Sequence, residues 1–398
     1  MQSKDLDFIL NTMLDSHPNV SDLNFTVGKP LQVESSGVLK EVAINPPIAR
    51  LTPFQTENIA FTIINSDTRL TRQLLDQGSA DCSYSLGDRA RFRVNIFSQR
   101  ATYSLVLRKL ESRIPTIGDM NLPKVLYKII EEKNGMVLVT GATGSGKTTS
   151  LAAMLDEINQ KKPIHVVTLE DPVEFSHPHK KATFNQREMG QDFDSFSSGL
   201  RAALRQAPKV ILVGEMRDRD TMEIGMTAAE TGHLLMSTLH TVDAGSTINR
   251  IVGMFDQEEE QLIRIRLAET FRWVVCQRLL PKKGGGRVAA FEIMGTNLRV
   301  KDAILNGGEE EGKTFYDIIS AAEPFGWRTF DAHMAELYST DMITEETAIA
   351  YASRKSEVQR KIDKIKQQRG EKTSDIDNLN LDDDYSKGVD GAPKKKRR

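Results

Sequence analysis

The chain has 398 residues, a formal net charge of −2 and 39% hydrophobic residues. This length gives room for two or three domains, and the near-neutral charge argues against non-specific nucleic-acid binding, for which a basic domain is usual. The two cysteines, Cys82 and Cys276, exclude a cysteine-based zinc module and fit a reducing compartment. No run approaches the roughly 20 apolar residues of a membrane span, and the charged start MQSKDLDFILNTML predicts no secretion signal.

Residues 1–111 predict a small N-terminal domain of mixed helices and strands. The first helix is indicated by helical spacing of Leu6, Ile9, Leu10, Met13 and Leu14. Strands with turns at Gly28 and Gly37 are predicted for DLNFTVGKPLQVESSGVLKEV, and helix for ENIAFTIINSDTRLTRQLLDQG. Basic and apolar residues alternate in RFRVNIFSQRATYSLVLRKL, which predicts a hairpin whose arginine-rich face carries Arg91, Arg93, Arg100 and Arg108.

Residues 112–119 have the composition of a linker, and residues 120–355 predict a second, larger domain. Its helical stretches alternate with four short apolar runs, GMVLVTG, HVVTLED, KVILVGE and HLLMSTLHT. This alternation predicts an α/β domain with a mostly parallel sheet covered on both faces. Polar residues follow each run, so we expect the functional site at the carboxyl ends of the strands.

Residues 356–398 predict a charged tail. Its first part, SEVQRKIDKIKQQRGEKTSD, can continue a charged helix, whereas IDNLNLDDDYSKGVDGAPKKKRR is polar, has charges in blocks and predicts disorder. The ending PKKKRR is either a solvated basic end or a nuclear-localisation or nucleic-acid-binding patch.

The segment VLVTGATGSGKTTS is a predicted strand followed by the phosphate-binding pattern G-x-x-x-x-G-K-T. Its glycines let successive backbone N–H groups point at phosphate oxygens, and the following helix points its N-terminus at them. We expect ATP here, with Lys147 on the β- and γ-phosphates and the Thr148 hydroxyl on Mg²⁺. The predicted nucleotide-binding residues are Gly141, Ala142, Thr143, Gly144, Ser145, Gly146, Lys147, Thr148 and Thr149.

Hydrolysis also requires a carboxylate that orients the attacking water, another that holds the metal, and positive charge for the leaving phosphate. Glu215 ends one apolar run, and Glu170 and Asp171 end another; we predict catalytic roles for the glutamates and a Mg²⁺ role for Asp171. Each carboxylate could instead be an ordinary loop cap. The hairpin arginines could supply an arginine finger or form a solvated face.

Two of the seven histidines lie in ETGHLLMSTLHT. Metal binding is disfavoured, because zinc needs about three or four ligands and this stretch offers two imidazoles and Glu230. Both histidines could be packed imidazoles. The alternative is a sensor, in which His240 at the strand end reaches the γ-phosphate or its water, and His233 at the strand start holds a neighbouring subunit or a backbone carbonyl.

Four motifs occur in one order: GATGSGKTT, TLEDPVEF, ILVGEMRDRDTM and AETGHLLMSTLHT. They resemble the Walker A, Asp box, Walker B and His box of secretion ATPases. Nearly the whole chain to about residue 355 resembles the type IV pilus retraction ATPases, the PilT and PilU family, with LRQAP and the C-terminal extension slightly nearer PilU. The resemblance implies a RecA-like P-loop domain with a smaller PAS-like α+β N-terminal domain, and a homohexamer that holds nucleotide between its domains.

The resemblance also implies residue roles. Lys147 and Thr148 take the Walker A roles and Glu215 that of the catalytic carboxylate. Glu170 and Asp171 take the Asp-box roles. The His-box roles go to His233 and His240, and the arginine fingers match Arg93 and Arg108, with Arg91 a weaker match.

Two departures from related motors bear on function. The four-cysteine zinc site and longer N-terminal region of extension motors are missing, which favours retraction. The helix AIRNLIRE of retraction motors is only partly matched by LRVKDAILNGG, which leaves open two roles: an autonomous retraction motor, or an auxiliary one beside a second, paralogous retraction ATPase.

The implied function is an ATP-hydrolysing motor for pilus retraction and twitching motility. It would act in the cytoplasm at the inner face of the cytoplasmic membrane, on the inner-membrane pilus platform protein, with no nucleic acid as partner. The alternatives are a pilus extension or type II secretion ATPase, a nucleic-acid-stimulated P-loop motor, and a non-catalytic subunit that binds ATP to stabilise a ring.

Overall fold

The computed structural model describes residues 2–87, 89–110, 113–307, 309–310 and 313–371. The chain divides into two compact units: residues 1–279 with 289–329, and residues 280–288 with 330 onward. The first unit contains both of the larger sheets, and the candidate site lies entirely within it. The predicted domain boundary at residues 112–119 stays a prediction.

The N-terminal part of the first unit is a six-stranded sheet with three helices. Its strand order is β3-β2-β1-β6-β5-β4, and all five neighbouring pairs are antiparallel. The elements are α1 (Ser3–Asp15), β1 (Val20–Phe25), β2 (Gln32–Ser35), β3 (Val38–Glu41), α2 (Pro53–Ile64), α3 (Thr68–Gln77), β4 (Ser79–Leu86), β5 (Ala90–Gln99) and β6 (Thr102–Lys109).

These elements follow the predicted pattern with one refinement. The second predicted helix is broken in two, because Asn65 and Ser66 have φ of +48° and +64° and Asp67 caps α3 by accepting from two backbone N–H groups. On β5, Phe92 and Val94 are buried. Arg91 and Arg93, which alternate with these two residues, lie on the other face of the strand, because successive strand side chains point to opposite faces. The predicted hairpin is therefore confirmed.

The second part of the first unit is a seven-stranded sheet in the order β13-β12-β7-β11-β10-β8-β9. All pairs from β12 to β9 are parallel, as the alternation of apolar runs and helices predicted. The elements are α4 (Val125–Ile129), β7 (Gly135–Thr140), α5 (Lys147–Lys161), β8 (His165–Glu170), β9 (Thr183–Glu188), α6 (Phe196–Ala203), β10 (Val210–Val213), α7 (Arg219–Glu230), β11 (Leu234–Leu239), α8 (Ala244–Val252), α9 (Glu260–Thr270), β12 (Phe271–Pro281), β13 (Arg287–Met294), α10 (Leu298–Leu305), β14 (Glu309–Glu310), β15 (Lys313–Thr314) and α11 (Phe315–Ala321).

The four predicted apolar runs are β7, β8, β10 and β11. Every residue of β7, β10 and β11 is buried, which is why these strands are mostly apolar and do not alternate between apolar and polar residues. Their carboxyl ends meet at one edge of the sheet, and each is followed by a polar loop. This edge is where the candidate site is built.

The second unit contains α12 (Phe330–Ser339), α13 (Glu345–Ala350) and α14 (Lys355–Arg369). The last helix covers most of the segment for which the sequence allows a charged helix, and the boundary of the tail at residue 356 stays a prediction. Val358 and Ile362, one turn apart, are fully buried. This charged helix therefore packs through an apolar face that its overall composition does not indicate. Residues 372–398, including the PKKKRR ending, lie outside the described residues.

Across the described ranges, none of the helices combines the length and apolar character needed to cross a bilayer.

Candidate active site

The loop between β7 and α5 depends on glycine at two positions. Gly141 has φ of +144° and Gly146 has φ of +88°, conformations that favour glycine. A Cβ on Gly141 would lie 2.3 Å from the carbonyl oxygen of Gln277, and a Cβ on Gly146 would lie 2.8 Å from Gln277 Nε2. Gln277, on β12, also accepts a hydrogen bond from the Ser150 hydroxyl at 2.8 Å. The predicted loop therefore packs against a neighbouring strand, which leaves no room for a side chain at Gly141 or Gly146.

The loop and the start of α5 provide a site for an anion. α5 begins at Lys147 without a side-chain cap, so its first N–H groups are directed at the loop. Lys147 Nζ donates to the carbonyl oxygens of Gly141 (2.9 Å) and Ala142 (3.0 Å). Burial lowers the pKa of Lys147, while Glu215 and Glu174 favour its charged form. These donors suit phosphate oxygens.

Glu215 and His240 follow the carboxyl ends of two neighbouring parallel strands, β10 and β11. The Thr238 hydroxyl donates to Gly214 O at 2.6 Å and so fixes the backbone just before Glu215. Glu215 Oε2 lies 2.6 Å from Arg217 Nε and 3.7 Å from His240 Nε2. Burial and the nearby charge of Lys147 lower the pKa of His240. His240 is therefore a neutral imidazole near pH 7, which can donate or accept a hydrogen bond.

The two Asp-box carboxylates differ in environment. Glu170, at the end of β8, is only 8% exposed, and burial raises its pKa to about 7. It accepts hydrogen bonds from the Thr168 hydroxyl (2.6 Å) and Gln186 Nε2 (3.1 Å). Asp171 is exposed; partial burial raises its pKa, and Arg93 opposes that effect. The side chain of Glu170 is thus fixed by two hydrogen bonds, whereas the carboxylate of Asp171 is accessible to a ligand.

The candidate arginines have three different environments. Arg93 lines the same cleft as Lys147 and Glu215. Arg91, two residues earlier on β5, forms an ion pair with Glu188. Arg108 is the direct cross-strand partner of Arg93, yet its Nε is held by Asp22 at 2.9 Å and it is not among the residues that line the cleft.

His233 is not brought to the cleft. It precedes β11, whereas His240 follows it, and six strand residues at about 3.3 Å each separate the two by about 20 Å. His233 Nδ1 contacts the carbonyl oxygen of Ala228 at 3.0 Å. His233 is expected from the sequence to contact either a neighbouring subunit or a backbone carbonyl, and the structure has the contact to a backbone carbonyl. Arg100 also does not line the cleft. It lies in the hairpin turn that follows the strand of Arg93, with φ of +47°.

One cleft collects most of the predicted residues. Leu151, Leu155, Phe175 and Phe196 form its apolar lining. Its polar lining includes Arg93, Thr143, Lys147, Thr148, Glu170, Asp171, Glu215, Arg217 and His240.

The sequence-based prediction missed Arg217 and Gln277. Arg217 lies inside the quoted motif ILVGEMRDRDTM, two residues after Glu215, so its position was a usable signal. Gln277 had none, because it lies in a later strand.

The sequence model of a known family, described as type II/IV secretion system protein, matches residues 32–307. The chain belongs to the type II/IV secretion system protein family. It is 39% identical over 328 residues to the type IV pilus retraction ATPase PilT of Pseudomonas aeruginosa, which covers 82% of this chain and 93% of that one. It is 36% identical to the type IV pilus ATPase PilU of the same organism, over 83% and 85% of the two chains.

Solved structures agree with the fold. A crystal structure of the pilus retraction motor PilT with bound ADP superimposes with a TM-score of 0.78 at 37% identity, over 89% of this chain and 99% of that one. The ATPase DotB of Legionella pneumophila superimposes with a TM-score of 0.75 at 28% identity. The predicted RecA-like ATPase domain with a smaller N-terminal domain, its ATPase class and its likeness to the PilT and PilU family are confirmed.

Proposed function

We propose that this chain is an ATP-hydrolysing motor that powers type IV pilus retraction. The proposal rests on one observation: Lys147, Glu215 and His240 line the same cleft. The chain that forms this cleft is similar to PilT over nearly all of PilT's length. The chain is also 35% identical to the pilus assembly ATPase PilB of P. aeruginosa, but it covers only 48% of that protein. Retraction is therefore favoured over extension.

In the proposed reaction, the backbone N–H groups of residues 141–148 and the start of α5 bind the phosphates of ATP. Lys147 Nζ exchanges its two carbonyl partners for phosphate oxygens. Mg²⁺, when bound with ATP, screens the phosphate charge, and the Thr148 hydroxyl and the Asp171 carboxylate in the cleft are oxygen ligands of the kind it prefers.

Glu215 orients the attacking water and accepts its proton. Its Oε2 pairs with Arg217, so the carboxylate must turn or Arg217, whose side chain is 73% exposed, must move away. His240 is neutral and within reach of the same oxygen, so it can hydrogen-bond to the water or to the γ-phosphate. Arg93 supplies positive charge as the phosphate leaves.

We propose that six copies form a ring and that each turnover changes the contact of Arg93 with the nucleotide. Because Arg93 is on the N-terminal sheet and Lys147 begins the helix α5 that follows strand β7 of the parallel sheet, loss of the γ-phosphate would weaken the link between them. The ring would act in the cytoplasm on the inner-membrane pilus platform protein, with a second paralogous retraction ATPase as a partner.

Two measurements test this function. The purified chain should hydrolyse ATP without stimulation by DNA or RNA; strong stimulation would favour the nucleic-acid motor, and no turnover would favour the non-catalytic subunit. Deletion of the gene in its host should abolish twitching motility and leave excess surface pili. Cells without pili would indicate an extension motor instead.

A further inference from the structure

Glu188 lies outside every motif assigned above, yet three donors hydrogen-bond to its carboxylate. It ends β9 and is 5% exposed. Its carboxylate accepts hydrogen bonds from Arg91 Nη2, from the backbone N–H of Val173 at 3.1 Å and from Gln191 Nε2 at 2.8 Å. A buried carboxylate is costly unless it is paired and hydrogen-bonded. These three donors meet that cost.

The ion pair of Glu188 with Arg91 connects the two larger sheets. Arg91 is on β5 of the N-terminal sheet, whereas Glu188 belongs to the edge strand of the parallel sheet. The Ser83 hydroxyl on β4 accepts from Arg91 Nη2 at 3.2 Å and from Gln191 Nε2 at 3.1 Å. The contacts therefore form a closed network that joins the two sheets through side chains.

Two of the three partners of the Glu188 carboxylate, Arg91 and Val173, are two residues from a group that lines the cleft. Arg93 follows Arg91 on the same face of β5, because strand side chains alternate and residues two apart lie about 7 Å from each other. Asp171 precedes Val173 in the loop after β8. Both Arg93 and Asp171 line the cleft. Fixing Arg91 and the Val173 amide thus fixes the backbone that carries these two opposite charges.

We propose that Glu188 is a positioning residue for ATP hydrolysis, which holds Arg93 and Asp171 at the cleft through Arg91 and the Val173 amide. The proposal rests on the proposed ATPase function. It changes the role expected for Arg91 from an arginine finger to a link between Arg93 and Glu188. In this structure the Arg91 guanidinium is engaged by Glu188 and does not line the cleft.

The test uses four variants of the full-length chain: Glu188→Gln, Arg91→Gln, the double variant, and Arg89→Gln as control. The double variant replaces both charges by amides that can still hydrogen-bond, so it keeps the buried network neutral and satisfied. Arg89 precedes the same strand but pairs with Asp15 on the exposed surface. Steady-state kcat and KM for ATP are measured together with thermal unfolding and the stoichiometry of a fluorescent ADP analogue.

We expect each single variant to lower kcat by about 10-fold or more, since misplacing a catalytic group by about 1 Å can cost about 100-fold. KM for ATP should change by less than about two-fold, because the phosphate loop is untouched. The double variant should lose no more than the worse single variant, because both act through one contact. Arg89→Gln should match the wild type.

Three results would overturn the proposal. The first is normal kcat in Glu188→Gln. The second is multiplication of the two single effects in the double variant, which would mean that Arg91 acts on the nucleotide independently. The third is recovery of full kcat once rates are normalised to folded, nucleotide-binding protein. Absence of turnover in the wild type is a separate outcome, which would contradict the proposed ATPase function itself.

Discussion

Glu215 Oε2 and His240 Nε2 lie 3.7 Å apart although the two residues are separated by a helix and a strand in the sequence. They meet because β10 and β11 are neighbouring parallel strands and each residue follows the carboxyl end of its strand. In the proposed reaction, this carboxylate and this neutral imidazole face the water that attacks a phosphate held by Lys147. Its chemistry is directly testable by substitution.

Glu215→Gln should bind ATP and lose nearly all turnover. The amide keeps the shape of the side chain but cannot accept a proton, and loss of a general base costs about 100- to 10,000-fold in rate. ATP binding is measured by equilibrium titration and turnover by phosphate release. Near-normal turnover would remove Glu215 from the catalytic role.

His240→Ala should also retain ATP binding while kcat falls, because in the proposed reaction the imidazole hydrogen-bonds to the γ-phosphate or its water and not to the loop that binds the other phosphates. We expect a loss of about 10-fold or more, the scale of a lost hydrogen bond to a charged group in the transition state. His17, in the N-terminal domain next to Ser16, is the matched control. Unchanged kcat in His240→Ala would return this residue to a packing role.

Arg93→Gln and Arg108→Gln form a matched pair, because the two arginines face each other across β5 and β6. We expect Arg93→Gln to lower kcat by at least about 10-fold, since Arg93 lines the cleft. Arg108→Gln should change kcat by less than about two-fold, because Arg108 does not line the cleft and pairs with the largely buried Asp22. Equal losses in both variants would indicate that Arg108 reaches a nucleotide, for example that of a neighbouring subunit.

Glu170 predicts a pH dependence of stability. Its pKa is raised from 4.5 to about 7 by burial, so between these values the folded chain holds a proton that the unfolded chain has released. The free energy of unfolding therefore falls as pH rises through this window. Glu170→Gln removes the effect and should stabilise the protein at about pH 8 by on the order of 2 kcal/mol, and by little near pH 5.

Denaturant unfolding of both proteins at the two pH values gives this difference. The amide can still accept from Thr168 and Gln186, so packing is kept. A stabilisation that is the same at both pH values would contradict the assignment.

Gly141→Ala should disrupt the phosphate loop more than Gly144→Ala does. Both glycines have positive φ, which costs another residue about 1 kcal/mol. Only at Gly141 does the new Cβ meet a fixed atom, the Gln277 carbonyl oxygen at 2.3 Å, while the space around Gly144 is open. Thermal unfolding and ADP titration should both show the larger loss for Gly141→Ala.

Much of the site could be predicted because it is encoded locally. The phosphate loop is one continuous segment. Glu170 ends a strand, and Glu215 and His240 each follow one, and these strands are mostly apolar because both their faces are covered. Strand ends in a parallel sheet meet at one edge, so these residues could be assigned to one place before their distances were known.

The remaining assignments depended on partners that are distant in the sequence. His233 belongs to the same motif as His240, but the length of β11 separates them. Arg91, Arg93 and Arg108 are equivalent by pattern, and their roles differ because Glu188 binds one and Asp22 another. The charged helix α14 is packed through Val358 and Ile362, which its composition does not reveal.

The sequence by itself determined the fold class, the phosphate loop and the carboxylates at the strand ends, because strand burial and loop geometry leave a periodic or contiguous signature. Only the tertiary structure decided which charges pair. The ion pairs of Glu188 with Arg91 and of Asp22 with Arg108 are contacts between different strands, and their strength depends on distance and burial, which no local pattern contains.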